Sequence, residues 1–387
     1  MFAKTLLLST LAATAAAQTY NTTFATGLLQ FLNNNGFTSL ADAINTSIDS
    51  PGTINLLNNV NGTSKTLLAP TNSAFNGLAA NATSNSTLLG DRLSYHLLAG
   101  SFPASSFATS PSHTIARTYF NDPSLVNLEG NKTQAVAFSI DGGATRVLNQ
   151  NTVVTITNTT SYQNLLIQVV DAVIDTPGDL AAAFDTYNLT ALLTVLNQLN
   201  FTEALLAARG ITVFAPTDQA LANAASALQG ANETQIATVV ANHVINGTTV
   251  YSPVLGQGSY TSAGGQGFSF SSNSSGTWVT SGSATARVVQ ADVIVKNGVV
   301  HIIDSVLFNN NTNPAAASSA YSAYTSTAGQ NAQQTGAVGG PTPTETGPIG
   351  GNNNNNAAIS IRMVDQSAVL SAVAVVAGVL SGAALLI

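Results

Sequence analysis

The sequence predicts a mixed α+β protein made of two tandem copies of one domain. Two observations carry this. The same short boxes occur twice, with Pro70 and Pro216 standing 146 positions apart. Segments with a helical period also alternate with short apolar runs that read as strands.

The first box is Thr66 to Phe75 (TLLAPTNSAF) and again Thr212 to Leu221 (TVFAPTDQAL). Its apolar run predicts a buried strand that Pro70 or Pro216 ends, because proline has no N–H for a ladder. Thr71 or Thr217 then caps a helix, and Asp218 in the first turn suits the helix dipole. In the second box Leu89, Leu93, His96 and Leu97 fall on one helical face, and Ile236, Val240, His243 and Val244 repeat that spacing. The third box is an apolar strand with a single acid: Leu166 to Ile174 around Asp171, and Val299 to Leu307 around Asp304. Val153 to Thr157 and Arg287 to Val295 are also strand-like. Gly36-Phe37-Thr38 matches Asn200-Phe201-Thr202 ahead of the first box in each copy.

These boxes resemble the fasciclin family, the FAS1 domain. Thr212 to Leu221 is similar to its first hallmark and Asn297 to Asp304 (NGVVHIID) to its second, with Tyr95-His96 similar to the Tyr-His motif between them. The resemblance covers residues 20–175 and 180–308. The first copy lacks the Asn-Gly turn, and the second has Asn242 where the tyrosine stands. The resemblance implies an α+β fold in each copy, with helices packed against a wedge of two β-sheets. It also implies adhesion and matrix contact as the activity, without enzymatic chemistry. The family motif residues carried over are Pro70, Thr71, His96, Asp171, Pro216, Thr217, Asp218, His243 and Asp304.

Both ends read as targeting signals. Residues 1–17 have a positive start at Lys4, an apolar stretch through Leu11 and a small-residue site at Ala15-Ala16-Ala17, as in a cleaved secretory signal. At the other end, small residues at Asn356-Ala357-Ala358, a polar spacer and an apolar tail from Ala368 to Ile387 fit a GPI signal. Asn356 is the expected attachment residue, with 357–387 removed. Residues 309–356 are low in complexity and predict a disordered, glycosylated stalk. The expected location is the outer face of the plasma membrane, through the lipid, with transfer to the cell wall as a further step.

Charged residues are 7% of the chain, against about 25% in ordinary soluble proteins. A net charge of −7 leaves no basic face for nucleic acid. Absence of cysteine excludes thiolate metal sites, Cys nucleophiles and disulfides. The four histidines, His96, His113, His243 and His301, show no metal-ligand spacing, and no cofactor is expected. His96 and His243 read as packed core histidines, and His301 as exposed or at a sheet edge. Asp171 and Asp304 read as acceptors of backbone N–H groups, at the helix start of the first box. A Ser305-His243-Asp304 set can be drawn, but no GxSxG elbow supports it.

Thirteen N-glycosylation sequons start at Asn21, Asn45, Asn61, Asn81, Asn85, Asn131, Asn158, Asn188, Asn200, Asn232, Asn246, Asn273 and Asn310. Glycans there supply the surface solvation that a weakly charged chain lacks. The reading is a GPI-anchored adhesion glycoprotein that meets matrix or wall glycans and proteins, or another copy of itself. The style resembles fungal wall and membrane proteins. The alternatives are a wall spacer without a specific ligand and a surface enzyme acting on polysaccharide or ester bonds.

Overall fold

The computed structural model describes residues 20–78, 84–150, 153–273, 276–328 and 336–339. Within them, one unit gathers residues 20–110, 116–122 and 133–176, and a second gathers 111–115, 123–132 and everything from 177 onward. The expected signal peptide and the expected GPI site at Asn356 lie outside the described residues, as does Asn81. Among the described residues no helix is long and apolar enough to cross a membrane.

The first unit opens with three helices, α1 (Thr22–Asn34), α2 (Thr38–Thr46) and α3 (Pro51–Asn59). Asn21 caps α1 by accepting Phe24 N–H at 2.9 Å, and Ser50 caps α3 with Pro51 at its first position. Helix α4 (Ser86–Tyr95) follows β1 (Lys65–Pro70). The other strands are β2 (Leu97–Leu98), β3 (Thr114–Arg117), β4 (Ala135–Asp141), β5 (Ala144–Val147), β6 (Val154–Tyr162) and β7 (Leu165–Val170). Hydrogen bonding orders them β2-β1-β7-β6-β5-β4-β3. The first and third boxes are therefore neighbours, with β1 parallel to β7 and Thr66 opposite Leu166. Every residue of β1 is buried, as a strand paired on both sides beneath a helical layer must be.

The second unit repeats the plan. Its helices are α5 (Leu180–Thr186), α6 (Thr190–Gln198), α7 (Thr202–Ala207), α8 (Asp218–Asn223), α9 (Ala225–Gln229), α10 (Glu233–Ala241) and α11 (Pro314–Thr327). Its strands are β8 (Ile211–Pro216), β9 (Val244–Asn246), β10 (Tyr260–Thr261), β11 (Gly267–Asn273), β12 (Gly276–Ser281), β13 (Ala284–Val295) and β14 (Gly298–Ile303). Their order is β10-β11-β12-β13-β14-β8-β9, with β8 parallel to β14. Gly298 faces Ile211, where a Cβ would stand 2.0 Å from the Ile211 carbonyl oxygen. The Asn297-Gly298 turn is glycine for that reason.

The structure changes three expectations. The helix of the second box stops before its histidine: His96 is the cap residue of α4, and Leu97 already belongs to β2. In the first copy the residues after Thr71 form a 3-10 turn, Asn72–Gly77, where a helix was expected; Asn76 and Gly77 are weak helix formers. The stretch after residue 309 is not structureless as far as Thr327. Asn313 caps α11 and Pro314 starts it, and an alanine-rich sequence sustains it. The Tyr324 hydroxyl accepts Thr261 N–H at 2.8 Å and ties α11 to β10.

The structure also re-pairs the early helices. Asn72 accepts Ser39 N–H of α2, and Asp218, at the same place in the second copy, accepts Ala191 N–H of α6. Thus α2 matches α6, and α3 matches α7. Asn200-Phe201-Thr202 leads into α7 and is not the equivalent of Gly36-Phe37-Thr38, which leads into α2.

Candidate functional site

The hallmark residues converge on the central strand pair of each unit. Pro70 and Pro216 close β1 and β8, and the next residue's N–H donates to Val170 or Ile303 O at 3.0 Å. Thr71 Oγ1 accepts Ala74 N–H at 3.3 Å, and Thr217 Oγ1 accepts Ala220 N–H at 3.1 Å. Asp218 sits in the first turn of α8 and accepts Thr190 Oγ1–H at 2.8 Å and Ala191 N–H at 3.0 Å. It therefore joins two helix starts.

The two histidines do identical work. His96 Nδ1–H donates to Arg92 O at 2.7 Å, and Nε2 accepts Ile174 N–H at 3.0 Å. His243 Nδ1–H donates to Val239 O at 2.7 Å, and Nε2 accepts Leu307 N–H at 2.9 Å. Each pins a helix end to the chain leaving the third box. Burial lowers both pKa values to about 4, so both rings are neutral at pH 7.

Asp171 and Asp304 stand just past β7 and β14 and are exposed. Each accepts a backbone N–H, from Thr155 at 2.7 Å and from Arg287 at 2.8 Å. The donors lie on the neighbouring strands β6 and β13, not at the helix start. An aspartate at a strand exit reaches across the ladder more readily than back to the cap. Ser305, His243 and Asp304 form no relay, since both His243 nitrogens hold backbone groups.

His301 is fully buried, contrary to the edge position expected for it. It stacks on Phe214, its Nε2–H donates to Val250 O at 2.9 Å, and its Nδ1 accepts Asp292 N–H at 3.3 Å. Gln168 holds the same position in the first copy, donating to Phe102 O at 2.8 Å.

Sequence reasoning missed Asp292, a fully buried acid within β13. Its carboxylate accepts Ser252 N–H at 2.7 Å, Ser252 Oγ–H, and His113 Nδ1–H at 2.7 Å. Burial alone pushes its pKa up. Hydrogen bonds from His113 and Ser252 and the electrostatic influence of the His301 and His113 imidazoles outweigh that and hold it below the usual carboxylate value. A lone acid among Val288, Val289, Val293 and Ile294 was the available signal. The carboxylate lies between serine and histidine, so this cluster lacks the order of a nucleophilic triad, in which histidine touches serine. Among the described residues no group of three or more His, Asp or Glu is placed to hold a metal.

The asparagines of the twelve described sequons lie at or near the surface, none of them buried. Asn21, Asn85 and Asn232 cap helices through side-chain oxygen acceptors. The amide nitrogen that carries a glycan is not the capping atom.

Fold and site together define a duplicated α+β module in which the hallmark residues serve the scaffold. The fasciclin domain model matches residues 25–177 and 187–309. That is more than half of the sequence, and the chain belongs to the fasciclin domain family. It is 28% identical over 254 residues to a fasciclin-like arabinogalactan protein of Arthroderma benhamiae, covering 64% of this chain and 59% of that relative. It is 25% identical over 248 residues to the fasciclin-like arabinogalactan protein elcF of Phaeosphaeria nodorum, covering 62% of this chain and 77% of that one. The chain thus matches less than two thirds of the first relative's length. A solved FAS1 domain pair from the insect cell adhesion molecule fasciclin I covers 71% of this chain and 98% of its own, at 14% identity and a TM-score of 0.34. The family model carries the assignment without it.

Proposed function

We propose that this chain is a GPI-anchored cell-surface glycoprotein whose two fasciclin domains make adhesive contact with matrix or wall polymers or with another copy. The observation that carries the reading is the division of labour in the structure. The hallmark histidines hold the scaffold from within, while the asparagines of the described sequons lie at or near the outside. A surface dressed in glycan and poor in charge suits contact with hydrated polymers. The arabinogalactan of the relatives' names extends this to chains of sugar on Ser and Thr. The terminal segments supply export and the lipid.

The test uses the full-length chain expressed with an internal tag. Phosphatidylinositol-specific phospholipase C is expected to release it from cells, and deletion of the gene is expected to reduce attachment to wall polysaccharide or between cells. Retention after the phospholipase would remove the anchor from the proposal. Unchanged attachment on deletion would remove the adhesive role.

A further inference from the structure

The two units close their helical layers differently. In the first, α3 crosses α4 backbone to backbone at Gly52 and Gly90: a Cβ on Gly52 would stand 2.4 Å from the Gly90 carbonyl. Leu56 and Leu57 of α3 then join Leu89 and Leu93 of α4 in one buried cluster, with Leu89 and Leu93 each 3% exposed. In the second unit α7 has six residues where α3 has nine, and Ala237 stands where Gly90 stands. A Cβ at Gly90 would stand 1.9 Å from Ser50 Oγ, so a residue with a methyl group, as Ala237 has, does not allow the crossing that the first unit makes. The equivalent side chains, Leu205 of α7 with Ile236 and Val240 of α10, are left half-buried.

A cavity of about 710 Å³ opens there. Val213 of β8 lies at its base, Leu196 of α6 and Ile236 of α10 form two walls, and Leu221 and Leu228 of α8 and α9 form a third. That volume lies in the range of small-molecule sites, about 300–1,000 Å³. Helices bound it on three sides, and it is about half open to solvent.

The chemistry of the lining selects the occupant. Its apolar side chains are those of Ala, Leu, Val, Ile and one Pro, while the ring of Phe214 turns to the other face of β8 and stacks on His301, so the body of the ligand is aliphatic. Among the described residues no lysine or arginine lines the cavity, whereas Asp218 and Glu233 do. Asp218 is engaged by α6, and Glu233 is exposed at the start of α10. An anionic head would meet only negative charge and would be left without a charge partner. Gln198 and Gln229, both exposed, offer neutral hydrogen bonds. We propose that the second domain binds one aliphatic amphiphile with an uncharged or cationic head, of the fatty alcohol, long-chain amine or sterol type, between α6, α8–α9 and α10. This is a carrier or sensor role for the module, separate from any adhesive contact.

The test is calorimetric titration of the full-length protein with dodecylamine, 1-dodecanol and dodecanoate, which share a chain and differ in head. One saturable site is expected, with dodecanoate at least about tenfold weaker than the other two, equivalent to about 1.4 kcal/mol. Ala225→Trp, which fills the cavity, is expected to abolish uptake at unchanged melting temperature. Ser226→Trp, on the exposed side of the same helix, is expected to leave it intact. Should Ala225→Trp fail to fold, Ala222→Phe gives the same reading from an exposed part of the lining. Absence of saturable uptake overturns the proposal, as does uptake that survives both filling variants. Equal binding of dodecanoate overturns the head-group assignment. Binding of a peptide spanning residues 50–60, with no uptake of amphiphile, makes the groove a helix acceptor and overturns the ligand class.

Discussion

The two units share a strand order and a histidine latch, yet the first is sealed by its helices and the second is not. In the first, a glycine pair lets α3 sink onto α4, and α2 contributes the buried Leu40 and Ile44. In the second, Leu193 and Val195 of α6 and Leu205 and Leu206 of α7 remain half-buried. Duplication preserved the hydrogen-bonded frame around the parallel strand pair and released the helical layer from it. Strand pairing fixes backbone positions for the whole sheet. A helix on its face is tied by hydrogen bonds only at its ends, is otherwise held by side-chain packing, and shifts with one methyl group.

Gly52→Ala attacks that difference most directly. Its new Cβ would meet the backbone of Gly90 and Asp91 at 2.4–2.6 Å, and backbone cannot rotate away. A cost of about 3 kcal/mol or more is expected in the first unit, the upper end for overpacking. Hydrogen exchange of β1 should accelerate while that of β8 is unchanged. Equal acceleration of both would show that the units share one cooperative transition.

Acid should separate the units next. A histidine with a folded pKa of about 4 and an unfolded value near 6.5 binds its proton more readily when unfolded, so its stabilisation is complete above pH 6.5 and lost as pH falls towards 4. The loss is on the order of 3 kcal/mol per histidine. In the first unit Asp91 opposes it. Burial, then the charge of Asp122, raises the Asp91 pKa to about 6, so this group favours folding increasingly as pH drops from 6. Thr238 stands in its place in the second unit, and burial lowers His301 there as well. Exchange protection measured from pH 7 to pH 4 should therefore fall further in β8 than in β1. Parallel losses would mean that Asp91 is not coupled to folding.

Matched truncations sharpen the packing contrast. Leu93→Ala removes a buried side chain and should cost about 3 kcal/mol. Val240→Ala, at the equivalent half-buried site, should cost about 1 kcal/mol. Urea denaturation of each variant measures the difference, and equal costs would mean that the second helical layer is as well packed as the first.

The frame was legible in sequence because its determinants are local. An apolar run, a proline and a capping threonine are contiguous, so β1, β8 and their caps follow from ten-residue boxes. What escaped depended on distance or on a misleading likeness. Asp292 takes its partners from 40 and 179 positions away, beyond any local pattern. His301 alternates correctly on its strand, but that face is covered by Phe214 and the Val250 segment, so alternation gave no solvent side. Asn200-Phe201-Thr202 repeats three letters of an earlier turn while leading into a different helix. Low complexity after residue 309 suggested disorder, although alanine is the strongest helix former and Asn313-Pro314 is a good start.

The substitution of Asn242 for tyrosine gives the smallest and most specific test. In the first unit the Tyr95 hydroxyl donates to Ala135 O at 2.8 Å. Asn242 has no such reach. Its amide donates to Asn309 O at 2.8 Å and Asn311 O at 2.9 Å, and its oxygen accepts Ser262 Oγ–H at 2.6 Å. The second unit thus trades a bond within its sheet region for a clamp on the chain leading to α11. Asn242→Ala leaves those carbonyls unpaired, and each buried polar group so stranded costs about 1–3 kcal/mol. Water can reach Asn311, which is exposed, so the expected net loss lies near the lower figure. The position of the loss matters more than its size. Exchange in α11 should rise while β8 and β14 stay protected, whereas Tyr95→Phe should leave α11 untouched. Loss of protection in β14 would make Asn242 part of the sheet core and erase the distinction between the two copies at this residue.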